Sequence, residues 1–211
     1  MPVIIHRVNE IEKLRRIPEK YGVEVDVRGF GSKILLSHDV VRDGLKYEEL
    51  EEYLKNFKHA FIIFNVKEAG YEKDIILLAK KYNINNYFIL DAEFPFIYSS
   101  TRRENFNKIA IRYSEAEPIE MAEAQIVKGK TLVEWIWIDT NTLLPLNYSV
   151  IEKIRPFKSC LVCPERWGRP QEIPEYIKKI KELNFKLDAV MTSQNNAQIW
   201  EESGVIKLEK P

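Results

Sequence analysis

The residues of this sequence best able to do chemistry stand where short apolar runs end. His6 and Arg7 close Val3-Ile4-Ile5, Glu24 and Asp26 alternate with Val23, Val25 and Val27, and His38-Asp39 follows Ile34-Leu35-Leu36. Asn65 and Lys67 end the run that begins at Phe61, and Asp91, Arg112, Trp137 and Asp139 stand in the same relation to later runs. Carboxylates two residues apart on a strand share one face, and a buried pair of like charges is costly unless something compensates it. A hard divalent cation, Mg²⁺ or Ca²⁺, takes carboxylate oxygens and resolves that cost. Two imidazoles beside such a site suit paired acid and base work, one accepting a proton while the other gives one. The remaining histidine, His59, lies in Asn56-Phe57-Lys58-His59-Ala60 after a helical pattern and reads as a surface residue.

Bringing these groups together is the task of the elements that carry them. β-branched and aromatic runs alternate with helical patterns from end to end, the strands starting at Val3, Val23, Phe61, Tyr87, Ile109, Leu132, Cys160 and Leu187. Gly29 and Gly31 predict a hairpin that extends the second strand, and Asn9 with Glu12 resembles a capping box. Helical spacing is clearest over Ile173, Tyr176, Ile177, Ile180 and Leu183. At roughly 25 residues per strand-helix unit, eight units fill the 211 residues almost without remainder. A doubly wound sheet of this length has fewer strands, so the fold class predicted is α/β, a compact (β/α)8 TIM barrel without a large inserted subdomain, one domain over residues 1–211. Both faces of a barrel strand are covered. Val23, Val25 and Val27 then face the helices and Glu24 and Asp26 face the barrel, whose active site lies at the C-terminal ends of its strands.

Composition excludes several partners. The 32 Lys+Arg balance 32 Asp+Glu, so no whole-protein field draws in nucleic acid or an anionic membrane. The apolar run at the start is short for a secretory signal and no run approaches a membrane span, which predicts a cytoplasmic protein with no integral membrane segment. Cys160 and Cys163 form a C-x-x-C spacing, but on a strand rather than at a helix start, so they face opposite ways and suit neither redox nor metal work.

In order, His6-Arg7, Glu24-Val25-Asp26-Val27, His38-Asp39 and Asn65-Val66-Lys67 resemble the signature of the glycerophosphodiester phosphodiesterase family, within the phosphatidylinositol-phospholipase-C-like barrel superfamily. His6-Arg7-Val8-Asn9 is also similar to spider-venom sphingomyelinase D, and Leu187-Asp188-Ala189-Val190-Met191-Thr192 to the family's last strand. The motif match covers the first third of the chain. It implies a divalent cation on Glu24 and Asp26, His6 and His38 as the acid–base pair, and Arg7 and Lys67 on phosphate oxygens. Where the family supplies a third acidic ligand just before the strand-three Lys, this chain has Asn65, whose carbonyl oxygen still ligates Mg²⁺ or Ca²⁺ with one charge fewer. Asp91 is the candidate for the missing charge, its alternative a helix N-cap.

The later strand ends leave choices open. Arg112 serves either a second anionic group or a clamp to Glu115 or Glu117, Trp137 either stacks on substrate or packs in the core, and Asp139 is a candidate substrate contact. Arg166-Trp167-Gly168-Arg169 either closes over an anion or is an ordinary basic loop. The reaction implied is hydrolysis of a glycerophosphodiester-like substrate, with a lyase forming a cyclic phosphate or a non-catalytic phosphate-binding barrel as alternatives. The family's inserted cover after the His-Asp motif is missing here, which predicts an open mouth. Such a mouth accepts a small phosphodiester or the phosphodiester end of a lipid or glycan.

Overall fold

A computed structural model describes residues 3–207. In chain order its elements are β1 (Val3–Ile5), α1 (Ile11–Leu14), β2 (Gly22–Phe30), β3 (Lys33–Leu36), β4 (Glu48–Glu49), α2 (Leu50–Lys55), β5 (Phe61–Val66), α3 (Glu72–Lys81), β6 (Tyr87–Leu90) and α4 (Phe94–Arg103). They continue with β7 (Ala110–Tyr113), α5 (Glu120–Glu123), β8 (Ile126–Val127), β9 (Lys130–Thr131), β10 (Trp135–Ile138), α6 (Tyr148–Ile154), β11 (Lys158–Val162), α7 (Ile173–Glu182), β12 (Ala189–Thr192) and α8 (Ala197–Glu202).

The runs of branched and aromatic residues become parallel strands because both their faces find apolar partners. Parallel pairing leads from β6 through β5, β2, β1, β12, β11 and β10 to β7. The ring closes between β6 and β7 through one isolated parallel bridge, Ile89 to Ile109, where the Ile89 amide donates to the Lys108 carbonyl at 2.9 Å. The eight-stranded parallel barrel expected from the run count is therefore present, and its narrowest joint is the β6–β7 seam.

Alternation sorts each strand. Ile4, Phe61, Ile63, Phe88, Trp135 and Met191 belong to the apolar cluster inside the barrel, while Val23, Val25, Val27, Ile62 and Phe64 belong to the layer under the helices. In β2 the inward column is Gly22, Glu24 and Asp26. Gly22 is needed there because a Cβ would stand 2.4 Å from the Ile4 Cδ1 and 3.0 Å from the Phe61 Cβ. The column thus starts on the apolar plug and becomes charged toward the mouth.

The expected hairpin forms, β2 running antiparallel to β3 and β3 to β4. Between β3 and β4 lie only residues 37–47, too few for an inserted subdomain at that place. Strand limits shift slightly: β10 starts at Trp135 rather than Leu132, β11 at Lys158 rather than Cys160, and β12 at Ala189 rather than Leu187. Cys160 faces the barrel interior and Cys163 the outer layer, both as free thiols. Among the described residues no helix is long and apolar enough to cross a membrane.

Two local expectations fail for tertiary reasons. The α1 helix has Glu10 at its N-cap and no side-chain cap bond, because Asn9 spends its amide on Asp26 instead. His59 is buried, not superficial: its Nε2 meets the Ile17 carbonyl at 2.9 Å, while Nδ1 has no partner among the described residues. Burial lowers its pKa below the usual histidine value, the bond to Ile17 offsetting this only in part. A histidine held neutral in the folded state contributes stability that is complete above the unfolded pKa of about 6.5 and is lost as pH falls below it. Urea midpoints between pH 7 and pH 5 should therefore fall less steeply for His59→Gln than for wild type; parallel slopes would refute this assignment.

Candidate active site

At the mouth, β1 ends at Ile5 and the His6 amide donates to the Thr192 carbonyl on β12 at 3.0 Å. The chain then turns at Arg7, whose φ of 54° is a left-handed conformation unusual for a residue with a side chain. That turn is held over the carboxylates. The Arg7 amide donates to Glu24 Oε2 at 2.7 Å, the Val8 amide to the Glu24 carbonyl at 2.8 Å, and the Lys13 ammonium to the Arg7 carbonyl at 2.6 Å.

His6, Arg7, Glu24, Asp26, His38, Asn65, Lys67, Arg112, Trp137 and Asp139 all line one cavity of about 250 Å³, joined by Val162, Met191, Arg166 and Trp167. Of the candidate acid–base, metal-binding and phosphate-binding residues, Asp91 is not in its lining. A wider cavity of about 780 Å³ lies along β3 and residues 45–49, but its lining holds no histidine.

Glu24 and Asp26 are both buried. Glu24 accepts from the Asn65 amide through Oε1 at 2.8 Å, and His6 Nε2 stands 3.8 Å from its other oxygen. Burial, then the neighbouring Asp26 charge, push its pKa up to about 7. Asp26 is clamped by Asn9, whose Nδ2 donates to Oδ2 at 2.9 Å and whose Oδ1 accepts from the Asp26 amide at 2.8 Å. Strand register sets Asp26 opposite Asn65. The Oδ1 atoms of both are buried without a hydrogen bond among the described residues, the Lys67 ammonium being an ion-pair neighbour of Asp26 at 3.5 Å.

Two carboxylates and an amide oxygen, two of these oxygens unpartnered, form a hard-oxygen donor set that fits Mg²⁺ or Ca²⁺. Among the described residues no cluster of three His, Cys, Asp or Glu side chains forms a metal site. Asp91 does not complete one. Both its oxygens accept from Arg112, at 2.6 and 3.1 Å, and Lys67 stands 3.5 Å away, so its charge is already matched. It is not the cap of α4 either, because Glu93 holds that position.

The histidines differ. Burial first, then the charges of Arg166, Arg7, Lys13 and Lys67, lower the His6 pKa to about 2 and keep its imidazole neutral. His38 is half exposed, with Nδ1 2.8 Å from Asp39 Oδ1, and the Arg28 guanidinium grips its carbonyl at 3.0 Å. Arg28 also donates to the Lys67 carbonyl at 3.3 Å, so one side chain ties both loops together. Arg28 continues the inward series of Glu24 and Asp26, which is the signal that would have found it; Asn9 was visible only as a mistaken cap.

Arg112 clamps Asp91 and Asp139, the latter at 2.8 Å, while Glu117 is 3.9 Å away and Glu115 instead accepts from Thr142. Burial opposes its charge, but the Asp91 bond and the charges of Asp91, Asp139 and Glu117 win and raise its pKa. Asp139 is saturated, accepting from Arg112, from the Trp137 and Trp167 indoles at 3.3 and 2.9 Å and from the Thr140 amide at 2.9 Å. It organises the mouth rather than waiting for a substrate. Trp137 packs in the barrel interior with its edge on the cavity, and Trp135 lies deeper against Phe88. The loop after β11 divides: Arg166 and Trp167 line the cavity, and Arg166 Nε is buried without a partner among the described residues. Arg169 is spent on the carbonyls of Thr140 and Thr142 and on Glu172.

No family model matches the sequence. No curated protein matches it either. Among solved structures it is similar to a glycerophosphoryl diester phosphodiesterase from Parabacteroides distasonis ATCC 8503, with a TM-score of 0.67 and 14% identity over 100% of this chain and 89% of that one. It is also similar to a glycerophosphodiester phosphodiesterase from Agrobacterium tumefaciens str. C58, with a TM-score of 0.59 and 11% identity over 90% of this chain and 96% of that one. The chain has the barrel fold of these two phosphodiesterases.

Proposed function

We propose that this protein is a metal-dependent phosphodiesterase that hydrolyses a glycerophosphodiester-like substrate, with His6 and His38 as its acid–base pair. The observation that carries the reading is the single cavity in which both histidines meet the Glu24–Asp26 pair, two unpartnered buried oxygens and several cations. Fold likeness to two structures named as glycerophosphodiester phosphodiesterases supports the same reading.

Glu24, Asp26 and Asn65 would hold a divalent cation, which would supply neutralisation of phosphate charge. Arg7, 3.7 Å from Asp26, and Lys67, at 3.5 Å, make long ion pairs that leave donors for phosphate oxygens. Arg166 Nε adds a donor with nothing else to satisfy. Such fixed cations stabilise charge growing on phosphorus without reorganisation. His6 enters neutral and accepts the proton of the attacking water, a bound diester anion offsetting the cations that depress its basicity. His38, its Nδ1 assigned as donor to Asp39, uses Nε2 to protonate the leaving alkoxide.

Calorimetric titration of Mg²⁺ and Ca²⁺ tests the donor set: wild type should bind in the micromolar to millimolar range and Glu24→Ala/Asp26→Ala should not. Silence from wild type favours the non-catalytic barrel. With bis-nitrophenyl phosphate, His6→Ala and His38→Ala should each lose about 10² or more in turnover. Equal rates in all three proteins would move the chemistry elsewhere. Phosphorus NMR should find a phosphomonoester as first product; a cyclic phosphate would replace hydrolysis by the lyase route. Asn9→Leu removes the hydrogen bonds to the Asp26 Oδ2 and amide, which should lower stability by about 1–3 kcal/mol in urea unfolding and weaken cation binding.

A further inference from the structure

The catalytic cavity has an apolar neighbour. Where β6 and β7 part after the Ile89–Ile109 bridge, a second cavity of about 460 Å³ opens, lined by Ala92, Phe94, Ile97, Ile111 and Met121 among others. It also touches Ala110, which belongs to the barrel interior, whereas Ile97 and Ile111 belong to the outer layer, so it runs through the barrel wall. Arg112 lines both cavities, and its two bonds to Asp91 stitch the strands by side chains where backbone pairing has ended.

We propose that this seam is the subsite for one alkyl or acyl chain carried by an alcohol of the phosphodiester, so that the substrate class is single-chain phosphodiester amphiphiles. The inference rests on the phosphodiesterase reading of the adjoining site. Three observations choose the occupant. The floor is Ile97, Ala110 and Ile111, each no more than 4% exposed, and the lip is Phe94 and Met121, 46% and 38% exposed, an unusual exposure for such side chains. The one cation in the lining, Arg112, is consumed by Asp91 and Asp139, and the remaining charged groups are the carboxylates of Glu93 and Glu117 on its solvent side, so an alcohol that needs a donor finds none free there. The volume falls within the range of pockets for one small ligand, and Arg112, shared by the two linings, sets it next to the catalytic cavity.

The test uses the full chain with Mg²⁺ and alkylphosphocholines of increasing chain length, methyl upward, each below its micelle concentration. Calorimetric affinity and choline release are both read. Each methylene buried should tighten binding by about fourfold until the seam is full. Ala116→Trp, at an exposed alanine lining the seam, should flatten that rise and leave the methyl compound within twofold of wild type, and Met121→Glu repeats the test should the first variant not fold. A rise in wild type that the variants flatten upholds the seam, and does so with or without choline release. If that rise comes without release, it is the phosphodiesterase reading that falls. Chain-independent affinity, or an equal rise in all proteins, overturns the seam while release of choline from the methyl compound keeps the phosphodiesterase. No binding by any member overturns both.

Discussion

Two carboxylates buried side by side at a barrel mouth are the constraint around which the rest of this structure is arranged. Glu24 and Asp26 sit on the same inward column of β2, above a plug of Ile4, Phe61 and Trp135 that offers them nothing polar. Their burial is tolerated because backbone and side-chain donors converge from far along the chain: the Arg7 amide and Asn65 on Glu24, and Asn9 on Asp26. The compensation is incomplete. Glu24 is pushed toward protonation near pH 7, and oxygens of Asp26 and Asn65 remain unpartnered among the described residues. A buried pair left partly uncompensated in this way costs stability, and perturbed carboxylates in a cleft mark a candidate functional site.

The remaining charges extend outward from that pair in strict alternation. Asp26 meets Lys67 at 3.5 Å, Lys67 meets Asp91 at 3.5 Å, Asp91 meets Arg112 at 2.6 Å and Arg112 meets Asp139 at 2.8 Å. The chain crosses the mouth from β2 to the end of β10. The inner members have an opposite charge on both sides and Asp139 adds indole and amide donors to Arg112, which explains why Asp91 and Asp139 have no free capacity for metal or substrate. The cations with donors to spare are those whose contacts are long or absent, Lys67, Arg7 and Arg166.

Much of this was legible in the sequence, and what was not has a common cause. Eight β-branched or aromatic runs, and the alternation that turns Glu24, Asp26 and Asn65 inward while the valines face out, are local signals that tertiary packing did not override. Asn9 and His59 failed because their partners, Asp26 and the Ile17 carbonyl, lie 17 and 42 residues away. Asn9 satisfies the capping pattern, yet a bond to a buried carboxylate is stronger than a bond to a helix amide that water can reach. Asp91 failed similarly: its position at a strand end was read correctly, but nothing local says that a guanidinium from the next strand takes both its oxygens.

The seam between β6 and β7 follows from the same charges. Asp91 has a φ of 62°, a conformation that costs a non-glycine residue about 1–2 kcal/mol and turns the chain away from its neighbour directly after Leu90. Without that turn, β6 would be free to pair onward with β7 and the wall would close by backbone bonds alone. With it, the joint depends on the Arg112–Asp91 pair, which is half buried and so stronger than a surface ion pair. The fold therefore exchanges a few ladder bonds for a side-chain pair that Lys67 and Asp139 tie to the strand ends on either side. In a barrel whose other neighbouring strands pair along ladders, this is where a second cavity can open beside the one at the mouth.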